Sequence, residues 1–556
     1  MGSKGSSAFR RGMVLVAAVG LVAGCSDSSS SAGGSVTTAK ASTASVSNCS
    51  QKPTRVKVPD APVADAAHDH VLTSFDGTKL RVHWFPLDTA TASAPAPTVL
   101  MGPGWSLKGD TDLNPDQSGP GVLAALTIPG LQKAGYNVLT WDPRGFGDST
   151  GVVQVDSAGA EGRDTQTIID WVSTQKGVEL DRAGDPRLGM VGFSYGGGIQ
   201  LVTAAIDCRV DAIVPGIAWN SLITSLYKNE TPKSGWSKQL VDAGSASGHL
   251  DPHVLSAAKS GSGQGDILTA DVDWFRARGP ANLVDRIRVP TLFVQGTVDT
   301  LFTLDEAIAN QTALLHNKVP TSMLWFCGGH GICLTDAGDK TAVPTATIAW
   351  MDHYVKRQAS VDLGPGFRLV DQDGTAWTAD AYPTADASIE ATGSGTLKLQ
   401  ADGGSGPAAP PAGGTDVVGN ISYGITPAVA TNSVDVAVDG GSADAMAVFA
   451  PKLSLTYSGT TPDGSTPTRV FAQLVDDTRH VVVDNQITPV QVTLDGKEHT
   501  ASVDLETIAQ HITPGTTLTL QLVASTVAYA VPRLGGTVTF SKIALTIPTT
   551  SKMPQA

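Results

Sequence analysis

The chain is short of positive charge. Its 38 Lys and Arg face 52 Asp and Glu, a formal net charge of −14. Phosphate binding needs clustered basic side chains, so the balance argues against nucleic-acid partners. Cysteine is scarce too, with five residues in 556. The tightest group, Cys327-Gly-Gly-His-Gly-Ile-Cys333, lacks a second paired cluster, so no metal site is expected. No internal repeat of fixed period is evident. The apolar segment 13–23 is too short to span a bilayer as a mature helix and fits the core of a signal peptide.

What is present suffices for two or three domains, since domains usually run to about 100–200 residues. Hydrophobic residues make up 41% of the chain, and 60 Gly with 33 Pro point to many turns. Lys4, Arg10 and Arg11 precede the apolar segment as a basic leader; the Arg10-Arg11 pair is only a weak hint of twin-arginine export. Val22-Ala23-Gly24-Cys25 then looks like a bacterial lipobox, whose Cys carries the lipid. A Ser/Gly/Ala/Thr-rich tether follows to about residue 50. The expectation is a signal peptide over 1–24, a tether over 25–50, and a protein exported and anchored to the outer face of the cytoplasmic membrane through Cys25. Four cysteines then remain, and an even number in an exported chain suggests disulfides. Of three possible pairings, Cys327–Cys333 with Cys49–Cys208 is favoured, because the first two lie six residues apart.

Residues 70–87 alternate as strands around the turn Asp76-Gly77. From about 96, short apolar runs at 97–101, 136–141, 188–192, 212–217, 291–295 and 323–326 alternate with helix-compatible stretches. Continuous apolar strands separated by helices mark a parallel sheet covered on both faces. The polar stretch 218–285 interrupts this rhythm and is read as an inserted cap; 341–357 reads as a closing helix. After about 360, β-branched alternating runs separated by Gly, Pro, Asp or Ser clusters give an all-β sandwich pattern. The predicted division is a catalytic α/β domain over 51–358 and a β-sandwich domain over 359–556.

Gly192-Phe-Ser194-Tyr-Gly196 follows the apolar run at 188 and precedes a helix-compatible one. That is the setting of a nucleophile elbow, where a Ser sits in a strained strand-to-helix turn and its neighbours must be small. Serine is a poor nucleophile without a base, and α/β-hydrolases supply the acid and then the His further along the chain. Asp299 lies just past the run 291–295, where it faces the top of the sheet. Asp305, the nearest competitor, lies in a helix-like run. His330, in Gly-Gly-His-Gly after the run 323–326, is the predicted base; His316 and His353 sit in helix-compatible stretches. Oxyanion donors are expected from the backbone N–H of Tyr195 and of Trp105 or Gly104, in the turn Gly102-Pro-Gly-Trp105. No cofactor is called for.

Residues 68–547 resemble the Xaa-Pro dipeptidyl-peptidase-like hydrolases, a family that includes cocaine-esterase-like enzymes. The resemblance rests on Asp142-Pro-Arg-Gly-Phe-Gly-Asp-Ser149, the helix from Asp164 to Trp171, the elbow Ser194-Tyr-Gly-Gly197, and Trp274-Phe-Arg-Ala-Arg278 followed by Val289-Pro-Thr291. Phe367, Trp377 and Tyr382-Pro383 resemble the join into the family's C-terminal jelly-roll-like domain. The resemblance implies an α/β-hydrolase with an inserted cap and a jelly-roll-like sandwich, acting on small peptide or ester substrates. The Tyr that serves cocaine-esterase-like members as an oxyanion donor is absent from 102–105, which favours a backbone donor. A dipeptidase also needs a carboxylate for the substrate's free amine; Glu230 or an Asp within 218–285 is available. The competing readings are an acyl esterase or acylase of the cocaine-esterase type and, outside enzymes, an inert lipid-tethered glycan-binding protein.

Overall fold

The computed structural model describes residues 57–64, 66–114, 126–410, 422–462, 468–530 and 533–556. The leader, the tether, Cys25 and Cys49 lie outside the described residues.

Strands β1 (Asp60–Val63), β2 (Ala66–Thr73), β3 (Lys79–Phe85), β4 (Thr98–Gly102), β5 (Asn137–Trp141), β8 (Leu188–Phe193), β9 (Ala212–Gly216), β10 (Thr291–Gly296), β11 (Thr321–Phe326), β12 (Phe367–Val370) and β13 (Ala376–Ala379) form one sheet. Its order is β1-β2-β3-β5-β4-β8-β9-β10-β11-β12-β13. The stretch from β5 to β12 is parallel, and β1 to β3 and β13 are antiparallel edges. Strands β6 (Leu180–Arg182) and β7 (Asp185–Pro186) make a small separate hairpin. The six apolar runs of the sequence all become central parallel strands.

Successive side chains of these strands point to opposite faces, and both faces are covered. Leu100, Leu139, Met190, Ile213, Phe293 and Trp325 pack with helices α2 (Glu161–Val172), α3 (Tyr195–Ile206) and α8 (Leu304–His316). Val99, Val138, Val191, Val214, Val294 and Phe326 pack with α1 (Ile128–Lys133) and α9 (Ala342–Tyr354). Each such side chain, fully buried, stabilises the fold by about 1.5–3 kcal/mol. Because both faces are buried, the strands are almost continuously apolar, and the few polar residues in them, such as Thr140 and Gln295, are buried as well.

The insert 218–285 folds as helices α4 (Leu222–Leu226), α5 (Ser234–Ser247), α6 (Pro252–Gln264) and α7 (Thr269–Arg276). Asp251 caps α6 by accepting the N–H of His253, with Pro252 at the first helical position.

The sequence places the change of character near 359. The pairing of β12 with β11 carries the large sheet on to Ala379 instead, and the separate β-region begins at Ala387. One of its sheets has the order β14 (Ala387–Lys398), β23 (Thr537–Thr549), β17 (Lys452–Thr460), β20 (His499–Asp504). The other runs β15 (Ser433–Asp439), β22 (Thr517–Val523), β18 (Thr468–Asp476), β19 (Val481–Val492), and a short pair joins β16 (Ala445–Ala447) to β21 (Gln510–Ile512). Inward residues such as Val434, Leu455, Leu520 and Phe540 form one core, and outward ones alternate with them.

Candidate active site

Ser194 stands between β8 and α3 with φ 58° and ψ −118°, a conformation L-residues rarely adopt. Its neighbours explain how the turn closes. A Cβ on Gly196 would lie 2.2 Å from the carbonyl oxygen of Gly102 at the end of β4, so only glycine lets helix and strand meet there. Gly192, with φ 146°, faces the same carbonyl. The elbow therefore rests on β4, whose following turn is Gly102-Pro103-Gly104-Trp105.

The turn from Asp142 to Ser149 supports the same end of the sheet. The Asp142 carboxylate accepts the N–H groups of Gly109 (2.8 Å) and Asp148 (2.7 Å) and bonds His83 Nε2 at 3.3 Å. Burial alone would lower the His83 pKa, but Asp142 and Asp69 outweigh it and raise it. Arg144 grips Asp164 of α2 with two guanidinium nitrogens, at 2.6 and 2.7 Å. Ser149 donates to the Asp142 carbonyl at 2.7 Å. These residues shape loops around the site without reaching Ser194.

The structure brings Ser194, His330 and Asp299 together. Ser194 Oγ lies 2.7 Å from His330 Nε2, and His330 Nδ1 lies 2.7 Å from Asp299 Oδ2. Asp299 is fully buried. Its Oδ1 accepts the N–H groups of Leu301 and Phe302, and its Oδ2 also accepts the His330 N–H. With Nδ1–H directed at the carboxylate, Nε2 is left to accept the serine proton. The competitors lie elsewhere. Asp305 bonds Lys228 and Thr507, His316 ends α8, and His353 on α9 bonds the Val361 carbonyl. Cys327 and Cys333 form a disulfide across the His330 loop, with Cα atoms 5.4 Å apart. Cys208 is disulfide-bonded as well; its expected partner, Cys49, lies outside the described residues.

Above Ser194 lies a cavity of about 80 Å³. Trp105, Trp219, Leu240, Val254, Phe275 and Phe302 are among its walls, and no charged side chain among the described residues lines it. The cap supplies most of this surface. The Trp105 indole donates to the Leu240 carbonyl at 2.8 Å, which ties the turn after β4 to α5. Its ring meets those of Tyr195 and Phe146 edge-on. Among the described residues no acceptor takes the backbone N–H of Tyr195, Gly104 or Trp105, so all three remain available as donors. Glu230 lies exposed on a short turn, its carbonyl accepting from Arg469, and does not line the cavity. Nor do the Asp residues of 218–285; Asp271, the buried one, is held by His253 and Ser256.

Several neighbours escaped sequence reasoning. Trp236 and Phe302 present edges to the His330 ring at 5.8 and 5.2 Å. Lys233, buried under the acid loop with its pKa lowered by burial, donates to the Leu301 carbonyl at 3.0 Å. The Trp-rich composition of 218–285 was the one available signal, and it does not say which Trp reaches the His.

The sheet order, the elbow and the Ser–His–Asp geometry define an α/β-hydrolase fold. Residues 76–331 match the model of the X-Pro dipeptidyl-peptidase (S15) family, and the chain resembles the Xaa-Pro dipeptidyl-peptidase-like and cocaine-esterase-like hydrolases. A polyketide transferase from Penicillium is 29% identical over 147 residues, 26% of this chain and 43% of that protein. A 31.7 kDa Escherichia coli protein is 33% identical over 121 residues, 21% of this chain and 41% of the other. The match thus spans under half the length of either relative. Among solved structures, a CocE/NonD family hydrolase from Staphylococcus aureus is similar at TM-score 0.58 and 14% identity, over 87% of this chain and 93% of that one. An aminopeptidase from a marine-sediment Thaumarchaeota archaeon is similar at TM-score 0.62 and 13% identity, over 90% and 100%. At that identity the likeness concerns the fold.

Proposed function

We propose that this protein is a serine hydrolase that cleaves ester or amide bonds of apolar acyl groups through an acyl-enzyme on Ser194. His330 Nε2 takes the hydroxyl proton as Oγ attacks the carbonyl carbon, and Asp299 stabilises the imidazolium that forms. The N–H of Tyr195, with that of Trp105 or Gly104, holds the oxyanion. His330 then gives the proton to the leaving group, and water releases the acid by the same steps in reverse order. The observation that carries this reading is the hydrogen-bonded Ser194–His330–Asp299 chain opening onto a cavity that no charged side chain of the described residues lines.

That cavity also favours the esterase or acylase activity over the Xaa-Pro dipeptidase. A peptide ammonium brought beside Ser194 would be desolvated with no carboxylate of the described residues on the cavity wall to receive it. Fluorophosphonate labelling separates either enzyme from an inert glycan-binding protein: wild type labels, and Ser194→Ala neither labels nor turns over, losing about 10⁴–10⁶-fold in kcat. Activity in Ser194→Ala above a tenth of wild type refutes the reading. A panel of p-nitrophenyl esters against free and N-acetylated Xaa-Pro anilides decides the substrate: esters are cleaved fastest, and acetylation brings no loss. A loss on acetylation of 30-fold or more restores the dipeptidase. The resemblance further supports a jelly-roll-like reading of the two sheets after Ala387.

Export and lipid attachment at Cys25 belong to the same proposal. They are supported by the lipobox-like motif and are in keeping with the Cys327–Cys333 bridge, which suits an oxidising compartment. No helix of the described residues is long and apolar enough to cross a membrane. Partition of native protein into the detergent phase, abolished by Cys25→Ser, is the expected result; a wholly soluble wild type overturns it.

A further inference from the structure

The base and acid of the triad sit on loops whose carbonyl groups are held from far along the chain. Gln486, on β19 and buried, donates from Nε2 to the Asp299 carbonyl at 3.1 Å and to the Thr297 carbonyl at 3.4 Å. Asn485, also buried, donates from Nδ2 to the Ile332 carbonyl at 2.8 Å, two residues beyond His330. One short segment of the β-region therefore touches both loops.

That segment is shaped for the purpose. β19 pairs with β18 at Gln473↔Ile487 and at Val475↔Val482, so residues 483–486 face only Leu474 and bulge out of the ladder. Asp484 and Asn485 take φ values of 51° and 57°. Such a bulge costs ladder hydrogen bonds and backbone strain, and it re-aims side chains. Here the amides it re-aims leave their own sheet and satisfy carbonyls of the catalytic loops. Glu506 adds a third hold by accepting the Thr303 hydroxyl at 2.8 Å. Burial would raise its pKa, but the Lys228 and Lys233 ammonium groups outweigh it and hold the carboxylate below its ordinary value.

We propose that Asn485 and Gln486 are positioning residues of the triad, so that the C-terminal β-region completes the active site. This rests on the reading of Ser194, His330 and Asp299 as the catalytic groups. Gln486 sets the height of the Asp299 backbone, and with it the carboxylate beneath His330 Nδ1. Asn485 sets the far side of the His330 loop. Loosening either displaces the acid–base pair relative to Ser194, and a misplacement of about 1 Å costs up to about a hundredfold in rate.

A purely structural role would lower stability and leave turnover per folded molecule intact, so the test separates the two. Full-length Gln486→Ala, Gln486→Glu and Asn485→Ala are compared with Gln521→Ala. Gln521 is an equally buried amide, but it bonds Ala430 within the β-region and touches no catalytic loop. Active sites are counted by fluorophosphonate titration, kcat and KM are measured on p-nitrophenyl butyrate, and Tm is recorded for each variant. The expected result is a loss of about tenfold to a hundredfold in kcat per titrated site for the 485 and 486 variants, with KM within about threefold. Gln486→Glu, which keeps the shape and removes the donor, fails to restore it. Gln521→Ala lowers Tm and keeps kcat. Unchanged kcat per site in both Gln486→Ala and Asn485→Ala, or an equal loss in Gln521→Ala, overturns the proposal. Should Gln486→Ala not fold, Asn485→Ala reads the same question through the other loop. Ser194→Ala is run alongside: turnover surviving there means that the triad reading itself has failed.

Discussion

The two halves of the Ser194–His330–Asp299 chain are held in different ways. Ser194 is fixed by its own neighbourhood: a strand, a helix and glycines that let the elbow press on the Gly102 carbonyl. Asp299 and His330 stand on longer loops and take their partners from the cap, the disulfide and the β-region. Ser194 thus depends on one strand–turn–helix unit, Leu188–Ile206, and on the end of β4 beside it, whereas Asp299 and His330 draw their support from several distant regions. The difference teaches that a site can be rigid by close packing on one side and by distant hydrogen bonds on the other, and that the two sides fail differently.

The largest effect should come from breaking the packed side. Gly196→Ala puts a Cβ 2.2 Å from a backbone oxygen that cannot swing away. Overpacking of this kind costs about 3 kcal/mol or more, and here it also moves the Tyr195 N–H. The variant should lose most of its fluorophosphonate labelling together with stability, measured on one sample by labelling rate and by urea unfolding. Wild-type labelling in Gly196→Ala would show that the close approach is dispensable.

A smaller effect lies under the same side. Glu161 accepts the N–H groups of Gln154 and Ser157 and stands 3.4 Å from the Tyr195 hydroxyl. Burial pushes its pKa up to about 7, from its usual value near 4.5. The folded state therefore keeps a proton that the unfolded chain gives up. The stability this supplies is fully present below about pH 4.5 and is lost as pH rises to about 7, amounting to about 3 kcal/mol across that window. The Tm gap between wild type and Glu161→Gln should accordingly narrow from pH 5 to pH 8. A gap that holds constant with pH would count against it.

The smallest effect should fall on the other side. The Cys327–Cys333 bridge closes a short loop, so its loss should cost only about 2 kcal/mol by the chain-entropy argument. Because that loop carries His330, Cys327→Ser/Cys333→Ser should lower kcat by more than its Tm change suggests. Equal kcat per active site in the double variant would assign the bridge to stability alone.

How much could be read from the sequence follows the same division. The elbow was legible because its signals are contiguous. Asp299 and His330 were legible because each follows an apolar strand, and the flanking Cys327 and Cys333 announced one hold on His330, but nothing nearby announces the amides and cap residues that hold the rest. Helices α5 and α6 were not anticipated: their Ser and Gly are weak helix formers, and they fold because Trp236, Leu240, Val254 and Ala257 pack with the cavity wall. The boundary near 359 differs from the observed junction for a related reason. Phe367–Val370 and Ala376–Ala379 have strand composition, and composition does not tell which sheet a strand will join. Asn485 and Gln486 carried no signal at all, since an amide in a β-rich segment looks the same whatever lies opposite it.

The bulge on β19 also has a consequence in time. Gln486 is separated from Asp299 by 187 residues, which at ordinary synthesis rates of about 5–20 residues per second amounts to roughly 10–40 s of translation. A nascent chain that has already emitted its elbow still lacks the amides that seat its acid and base. On the proposed roles, premature termination or proteolytic trimming before Gln486 would leave Ser194 without finished partners, and readiness to react would be set by completion of the polypeptide and not by the arrival of the serine.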